Sequence, residues 1–208
     1  MQKIVSMEVG GRTFSLETGR IARQANGAVL VRYGDSVILV TAVGSPKADP
    51  NRDFLPLYVE YREKAYAAGK IPGGFFKREG RPQEKETLAA RLIDRPLRPL
   101  FPDGYRKETQ IIATVMSFDL ENETDILGIT GASAALALAD IPFTSILSAV
   151  RVGRINGRFV VNPLLSHLEA SDMDVTVAGT DDNILMVEGG CDEVSEEELA
   201  SALDFAHA

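Results

Sequence analysis

The chain has 208 residues and a formal net charge of −8, with 45% hydrophobic and 25% charged residues. A chain of this size can bury a core without disulfides. Its one cysteine, Cys191, excludes a disulfide within the chain and favours a reducing, cytoplasmic compartment. The most apolar run, residues 126–139, is shorter than the roughly 20 residues that cross a bilayer, so no membrane association is expected.

Charge is unevenly distributed along the chain. Residues 62–107 contain 12 Lys and Arg against 6 acids, a local charge of +6. The remainder contains 10 basic and 24 acidic residues, a charge of −14. The acidic whole argues against a general nucleic-acid-binding protein, whereas a basic segment in an acidic body suits a confined anion site. A solvated helix and loop would give the same charge pattern.

The first third of the chain is expected to form β structure. Two strands flank the glycine turn at residues 10–11, and a hairpin pairs residues 28–33 with residues 36–43. Residues 45–53 are rich in Pro, Asp and Asn and predict a loop. The apolar stretch that follows is predicted to be a strand, which Pro56 confines to a sheet edge or a strand start.

Residues 67–82 contain four glycines, which predicts a loop longer than a plain connector, and such loops are often functional. Within it the sequence GGFFKREGRP mounts two aromatic rings beside a cluster of cations. Unpaired bases need flat apolar faces and phosphates need cations, so the loop suits single-stranded RNA, with roughly 1–3 kcal/mol for each stacked base. A plug buried in the core or in a partner subunit is the alternative. The candidate RNA-binding residues of this loop are Phe75, Phe76, Lys77, Arg78 and Arg81.

A short amphipathic helix is predicted over residues 83–94, with acids in its first turn. It is expected to end before Pro96, because a proline disfavours helical geometry in the residue that precedes it. Arg91, Arg95 and Arg98 follow at spacings of four and three, so they point the same way if the helical path persists. They suit phosphate contacts, and ion pairs on the surface or at an interface are the alternative. The acids available for such pairs are Glu84, Glu86 and Asp94.

After the basic segment, a strand is predicted over residues 110–119 and an apolar helix over residues 125–143, with Thr124 or Asp125 as its N-cap. The small residues of this helix permit close packing on a sheet. Two hairpins follow, and the first is marked by an Asn-Gly turn at residues 156–157, the strongest short hairpin signal in the chain.

The last predicted helix begins at Ser195, with Glu198 as its capping-box partner. Its apolar periodicity continues to the last residues of the sequence without a capping signal, which suggests a fragment of a longer protein or a terminus that ends in a helix. The order of strands and helices is not a regular βαβ alternation. We therefore expect an α+β fold, in which helices pack on one face of a mixed or antiparallel sheet.

Motifs for common catalytic chemistries are absent. The chain has no Walker A, dinucleotide-binding, zinc-protease or nucleophile-elbow sequence, and His167 and His207 have no partner at metal-ligand spacing. Asp172 and Asp174 are separated by one residue, which would put both carboxylates on one face of a strand, as a Mg²⁺ site would use them. The sequence offers no obvious third ligand for such a site.

Residues 66–102, with the sequence YAAGKIPGGFFKREGRPQEKETLAARLIDRPLRPLFP, closely resemble the first core domain of the bacterial polynucleotide phosphorylase family. The stretches ETGRIARQANGAVLVRYGDSVILVTAV, DFLPLYVEYREKAYAAG and GASAALALADIPF continue the match, so the resemblance spans nearly the whole chain. It implies an RNase PH-like fold. It also implies that residues 1–208 are the first RNase PH-like core domain of a longer protein.

Members of this family are built from two RNase PH-like halves, a helical linker and C-terminal RNA-binding modules, and they form ring-shaped trimers. They degrade single-stranded RNA from the 3′ end with inorganic phosphate as the attacking group, release nucleoside diphosphates and use Mg²⁺. The resemblance therefore implies that RNA, phosphate, a second half of the same chain and two further subunits are the partners of this domain.

In this family the chemistry lies in the second half, where a serine-rich loop holds phosphate. The matching positions here are Glu123, Thr124 and Asp125. Two carboxylates would repel phosphate rather than bind it. The active half also carries two Asp and a Lys, for which this chain has Leu168, Asp174 and Thr176. The resemblance thus implies that Asp174 is a remnant, and that this chain has no catalytic residue and no bound metal.

The resemblance leaves two roles open for this half. It guides RNA through the aromatic loop and the arginines, or it is a structural ring module whose loop seals subunit contacts. A self-sufficient single-domain RNase PH is a third possibility, which the missing Asp and Lys weaken. Arg91, Arg95 and Arg98 lie close to the RNA path or to the interface between the halves in this family, and the sequence does not separate those two positions.

Overall fold

A computed structural model describes residues 1–208. Six strands form a mixed sheet in the order β1-β2-β3-β4-β6-β5, in which the β5–β6 pair is parallel and the other pairs are antiparallel. These strands are β1 (Lys3–Val9), β2 (Arg12–Thr18), β3 (Gly27–Tyr33), β4 (Ser36–Ala48), β5 (Leu57–Glu63) and β6 (Lys107–Ser117). Pro56 directly precedes β5, and β5 lies at the sheet edge, as the sequence predicts.

A second sheet of four antiparallel strands follows, in the order β10-β9-β7-β8. Its strands are β7 (Ser148–Ile155), β8 (Arg158–Val161), β9 (Met173–Gly179) and β10 (Ile184–Cys191). The helices are α1 (Glu84–Leu97), α2 (Asp125–Leu138), α3 (Leu165–Leu168) and α4 (Glu196–His207). None of them combines the length and the apolar character needed to cross a membrane.

The two sheets enclose α1 and α2. Side chains of α1 and α2 share one buried cluster with the large sheet and with Ala178 and Met186 of the small sheet. Val175 and Val177 lie on the opposite face of β9 from Ala178, and they pack with Ala202 of α4 in a second cluster. The fold is therefore α+β, as expected, but it has two sheets rather than one. Its layers follow in the order large sheet, α1 with α2, small sheet and α4.

Turn and cap signals are mostly confirmed. Asn156 and Gly157 have φ angles of 50° and 71°, as a two-residue hairpin turn requires. Ser195 accepts a hydrogen bond from the backbone N–H of Glu198, which completes the capping box. β4 continues to Ala48, so the loop predicted from residue 45 begins later, because the β4–β6 pairing resumes past an irregularity.

The predicted end of α1 is wrong. The helix continues through Pro96 to Leu97, and a 3₁₀ turn over Arg98–Leu100 extends it. Pro96 lies in the last turn, so its missing N–H removes a single intrahelical hydrogen bond. Burial of Pro96 and Leu97 in the core offsets that loss, and the N–H of Arg98 still donates to the carbonyl of Asp94. The helical path of the three arginines therefore persists.

Candidate nucleic-acid interface

The two phenylalanines of the glycine-rich loop point into solvent. Phe75 is 94% exposed and Phe76 is 81% exposed, and their rings meet edge to face with centroids 5.5 Å apart. The suggestion that they plug the core of this chain is therefore wrong. Gly74 (φ 73°) and Lys77 (φ 48°) flank the pair, and both adopt the left-handed conformation, so the backbone turns sharply on each side of the two rings.

The cations of this loop are free of acidic partners. Lys77, Arg78 and Arg81 are exposed, and no carboxylate of the chain lies within ion-pair distance of them. Their ammonium and guanidinium groups are therefore hydrated and able to pair with an external anion. Two apolar faces and three free cations thus share one exposed loop, although contact with RNA stays a prediction.

The base of the loop is held by side chains that sequence patterns do not identify. The buried carboxylate of Glu86 accepts hydrogen bonds from the N–H of Glu63, at 2.9 Å, and of Gln83, at 2.6 Å. Arg62 lies 3.5 Å from the same carboxylate and donates to the carbonyl of Gly80 at 3.1 Å. Glu79 accepts from the N–H of Ala65 at 2.9 Å. The two ends of the loop are therefore joined to each other.

The three arginines on α1 differ in their surroundings. Arg98 binds Asp94 at 2.7 Å and also approaches the carbonyls of Leu55 and Leu57. Arg95 forms an ion pair with Glu188 of β10. Arg91 is exposed and has no such partner. Arg95 and Arg98 therefore form ion pairs within the chain, which is one of the two alternatives from the sequence. Arg91 has no acidic partner and is available to bind an external anion.

A cavity of about 450 Å³ lies between α1 and the small sheet. Arg151 of β7 reaches into it with a side chain that is 13% exposed, and its guanidinium lies among three carboxylates. Asp125 is 3.0 Å away, Asp174 is 3.3 Å away and Glu123 is 3.7 Å away. A second cation, Lys85, pairs with Glu123 at 3.4 Å and with Glu63 at 3.3 Å. The cavity is thus lined by charged groups that pair within the chain.

Comparison with known proteins assigns the chain to a protein family. Two family models match it: 3′ exoribonuclease family, domain 1, over residues 10–142, and 3′ exoribonuclease family, domain 2, over residues 145–208. The chain belongs to the 3′ exoribonuclease (RNase PH) family. The boundary between the two models falls between α2 and β7, where the chain passes from the large sheet to the small one.

Curated members of this family are similar along the whole chain. A protein of Heliobacterium modesticaldum is 56% identical over 99% of this chain, and one of Thermomicrobium roseum is 58% identical over 97%. Both are named polyribonucleotide nucleotidyltransferase, which confirms the resemblance to the polynucleotide phosphorylase family. The chain covers 29% and 26% of their respective lengths, so it spans less than a third of the curated relatives it matches.

Solved structures support the RNase PH-like fold. Rice Rrp46 superimposes with a TM-score of 0.70 at 15% identity, covering 97% of this chain and 86% of that one. The Archaeoglobus fulgidus exosome with RNA bound to the active site gives a TM-score of 0.67 at 18% identity, covering 100% of this chain and 84% of that one. At such identities the likeness concerns the fold alone.

Mg²⁺, which this family implies, does not fit the cavity. The guanidinium of Arg151 lies between Asp125 and Asp174 and puts a positive charge where the ion would have to bind, and no cluster of three or more His, Cys, Asp or Glu side chains is placed to hold a metal ion. The expectation that Asp172 and Asp174 share a face is also wrong. Asp172 precedes β9 and binds Arg154, which pairs with Glu198 of α4 on the other side of the small sheet.

Glu123 lies close to Asp125 at the start of α2 and is only partly exposed. Burial raises the pKa of Glu123, and the nearby Asp125 carboxylate raises it further, while Lys85 and Arg151 oppose both effects. The sequence does indicate that Glu123 and Asp125 need cationic partners, because two carboxylates beside a helix start require positive charge nearby if they are buried. Nothing in the local pattern indicates that Lys85 and Arg151 supply them.

Proposed function

We propose that this chain is the N-terminal, non-catalytic RNase PH-like half of a polyribonucleotide nucleotidyltransferase. The complete protein would shorten single-stranded RNA from its 3′ end, with inorganic phosphate as the attacking group and nucleoside diphosphates as products. The observation that carries this proposal is the 53–58% identity to proteins of that name over at least 95% of this chain. RNA bound in the related archaeal exosome supports RNA as the substrate class.

We infer that chemistry belongs to the part of the protein outside this chain. Arg151 and its three carboxylate partners line the cavity, so the carboxylates would repel phosphate and the guanidinium would repel Mg²⁺ there. The second half would bind Mg²⁺ and phosphate, and a cytoplasmic homotrimer of the complete protein would form the ring. The 208-residue chain alone is expected to release no nucleoside diphosphate from RNA, and measurable release would contradict this division of labour.

The role proposed for this half is to guide RNA. Phe75 and Phe76 would stack on unpaired bases, since stacking tolerates every base and a processive exonuclease must accept all sequences. The loop cations would contact phosphates beside the stacked bases. Arg91 is the best placed of the α1 arginines for such a contact, because Arg95 and Arg98 already have partners.

The test is to change Phe75 and Phe76 together to Ala in the complete protein and to measure its affinity for single-stranded RNA. Phosphate is omitted so that the RNA is not consumed. A loss of about 1 to a few kcal/mol is expected from the lost stacking. Phe54→Ala is the matched control, because Phe54 is 61% exposed and lies outside the loop. Unchanged affinity in an intact trimer would favour the structural ring module instead.

A further inference from the structure

We propose that Arg62 and Glu86 are positioning residues that fix the direction of the Phe75-Phe76 loop. The inference rests on the proposed function, because it assigns a device to the same RNA-guiding loop. The carboxylate of Glu86 is almost fully buried, with 6% of the residue exposed. It receives one N–H from the strand that enters the loop, at Glu63, and one from the segment that leaves it, at Gln83. One side chain therefore ties both ends of the loop.

Arg62 supplies the second tie. Its side chain is 13% exposed, lies beside Glu86 and donates to the carbonyl of Gly80, on the outgoing arm of the loop. Glu79 adds a third tie to the incoming arm at Ala65. Charge-assisted hydrogen bonds are directional, so they fix geometry as well as contribute free energy. Those of Glu86 are part-buried, whereas those of Arg62 to Gly80 and of Glu79 to Ala65 are exposed. Together these bonds form a closed neck.

Beyond the neck, the loop makes little contact with the body. A methyl group built on Gly73, Gly74 or Gly80 would meet open space, and both phenylalanine rings are more than four-fifths exposed. Packing of the loop tip against the body therefore does not fix the direction of the loop. That direction is set by the neck, together with the left-handed turns at Gly74 and Lys77.

A fixed direction matters for binding because a freely moving loop must be ordered when RNA arrives. Ordering a mobile segment on binding lowers affinity, and a loop that is already held in place avoids this loss. The neck would therefore strengthen RNA binding without touching RNA. Its residues would differ in this respect from Phe75 and Phe76, which are proposed to contact the bases themselves.

Residues 1–208 contain no tryptophan, and any tryptophan elsewhere in the complete protein is first changed to phenylalanine. Phe75→Trp then places a single fluorescent reporter at the loop tip while keeping an aromatic face there. Arg62→Gln is then introduced into this background of the complete protein. It opens the link to Gly80 but leaves the hydrogen bonds of Glu86 to Glu63 and Gln83 in place. Arg62→Lys keeps the charge beside Glu86 but has one point of attachment, so an intermediate effect is expected.

Two quantities are measured: the fluorescence anisotropy of the introduced tryptophan without RNA, and the affinity for oligoadenylate without phosphate. Arg62→Gln is expected to lower the anisotropy and to weaken binding roughly fivefold, because a mobile loop must be ordered by the RNA. Arg20→Gln is the matched control, since it breaks an exposed ion pair with Glu17 near the other edge of the large sheet. It should change neither quantity.

The outcomes separate this inference from the proposed function. Unchanged anisotropy in Arg62→Gln, or lower anisotropy with unchanged affinity, would overturn the positioning role. The effect of Phe75 and Phe76 changed to Ala is scored separately and decides whether the loop binds RNA at all. A urea-unfolding midpoint equal to that of the parent protein shows that any change in affinity does not come from lost folding.

Discussion

The guanidinium of Arg151 lies 3.0 Å from the carboxylate of Asp125, at the point where α2 begins. The start of a helix attracts negative charge, and Asp125 supplies it from within the chain by accepting a hydrogen bond from the N–H of Ile126. Arg151 then neutralises that carboxylate. Charge pairs within the chain thus stabilise the lining of this cavity.

Replacing Arg151 by Met is expected to destabilise the fold by about 3 kcal/mol or more, because partly buried carboxylates lose their cation. Asp125 and Glu123 would remain close together without a shared partner, and Lys85 would compensate only Glu123. The free energy of unfolding in urea at neutral pH measures the effect.

Arg154→Met is the matched control for Arg151→Met. Arg154 also lies on β7, and its two acidic partners, Asp172 and Glu198, have side chains that are 39% and 47% exposed to solvent. Water can hydrate those carboxylates when the arginine is lost, so a smaller loss is expected. Equal losses for the two variants would show that the cavity pairs have no special role in stability.

The lowered pKa of Asp119 in the folded protein is expected to make the fold less stable in acid. Burial alone would raise the pKa of this carboxyl, but hydrogen bonds from Asn122, Glu121 and Ser36 outweigh it and lower the pKa to about 2. A carboxyl whose pKa is lowered in the folded state stabilises the fold above its unfolded pKa, near 3.8. That contribution is lost as the pH falls towards 2.

Asp119→Asn tests this assignment. The variant should be less stable than the parent protein at neutral pH, and the difference should shrink as the pH is lowered from about 4 towards about 2. Unfolding midpoints in urea across this range provide the measurement. Asp35→Asn, in the neighbouring turn, is the control. A difference between Asp119→Asn and the parent protein that stays constant with pH would refute the role of the ionised carboxylate.

Local signals predict most of the elements. The Asn156-Gly157 turn and the Ser195 cap involve residues that are adjacent or one helical turn apart, so the sequence reveals them directly. Pro96 misleads for a reason that is not local. Its ring is buried against the core within the last turn of α1, and tertiary packing outweighs the preference of the preceding residue for extended geometry.

The site is less predictable because its partners are distant in sequence. The carboxylates of Glu123 and Asp125 require a cation, but which of the 22 Lys and Arg residues supplies it depends on how β7 and β9 pair beneath α2. The same holds for Glu86, which the sequence offers as a partner of the α1 arginines. The structure pairs it with Arg62 instead, on the neighbouring strand.

Gly27 is expected to be essential for packing β3 against α2. A methyl group at this position would overlap the backbone carbonyl of Ala135, so β3 and α2 would have to move apart to accommodate it. Gly27→Ala should therefore destabilise the fold by about 1–3 kcal/mol, as overpacking of a core does. Gly73→Ala is the control, because its methyl group would meet open space. Equal unfolding midpoints for the two variants would contradict the close approach.

The salt dependence of RNA binding separates free cations from paired ones. Changing Lys77, Arg78 and Arg81 together to Gln should flatten the slope of log affinity against log salt concentration, by roughly 0.7 for each lost single-strand phosphate contact. Arg98→Gln should leave the slope nearly unchanged, since its guanidinium is held by Asp94. Affinities of the complete protein for single-stranded RNA over a range of salt concentrations provide the slopes. A slope that does not respond to the triple change would mean that the loop cations do not contact phosphates, and a strong response to Arg98→Gln would mean that RNA displaces Asp94 from that arginine.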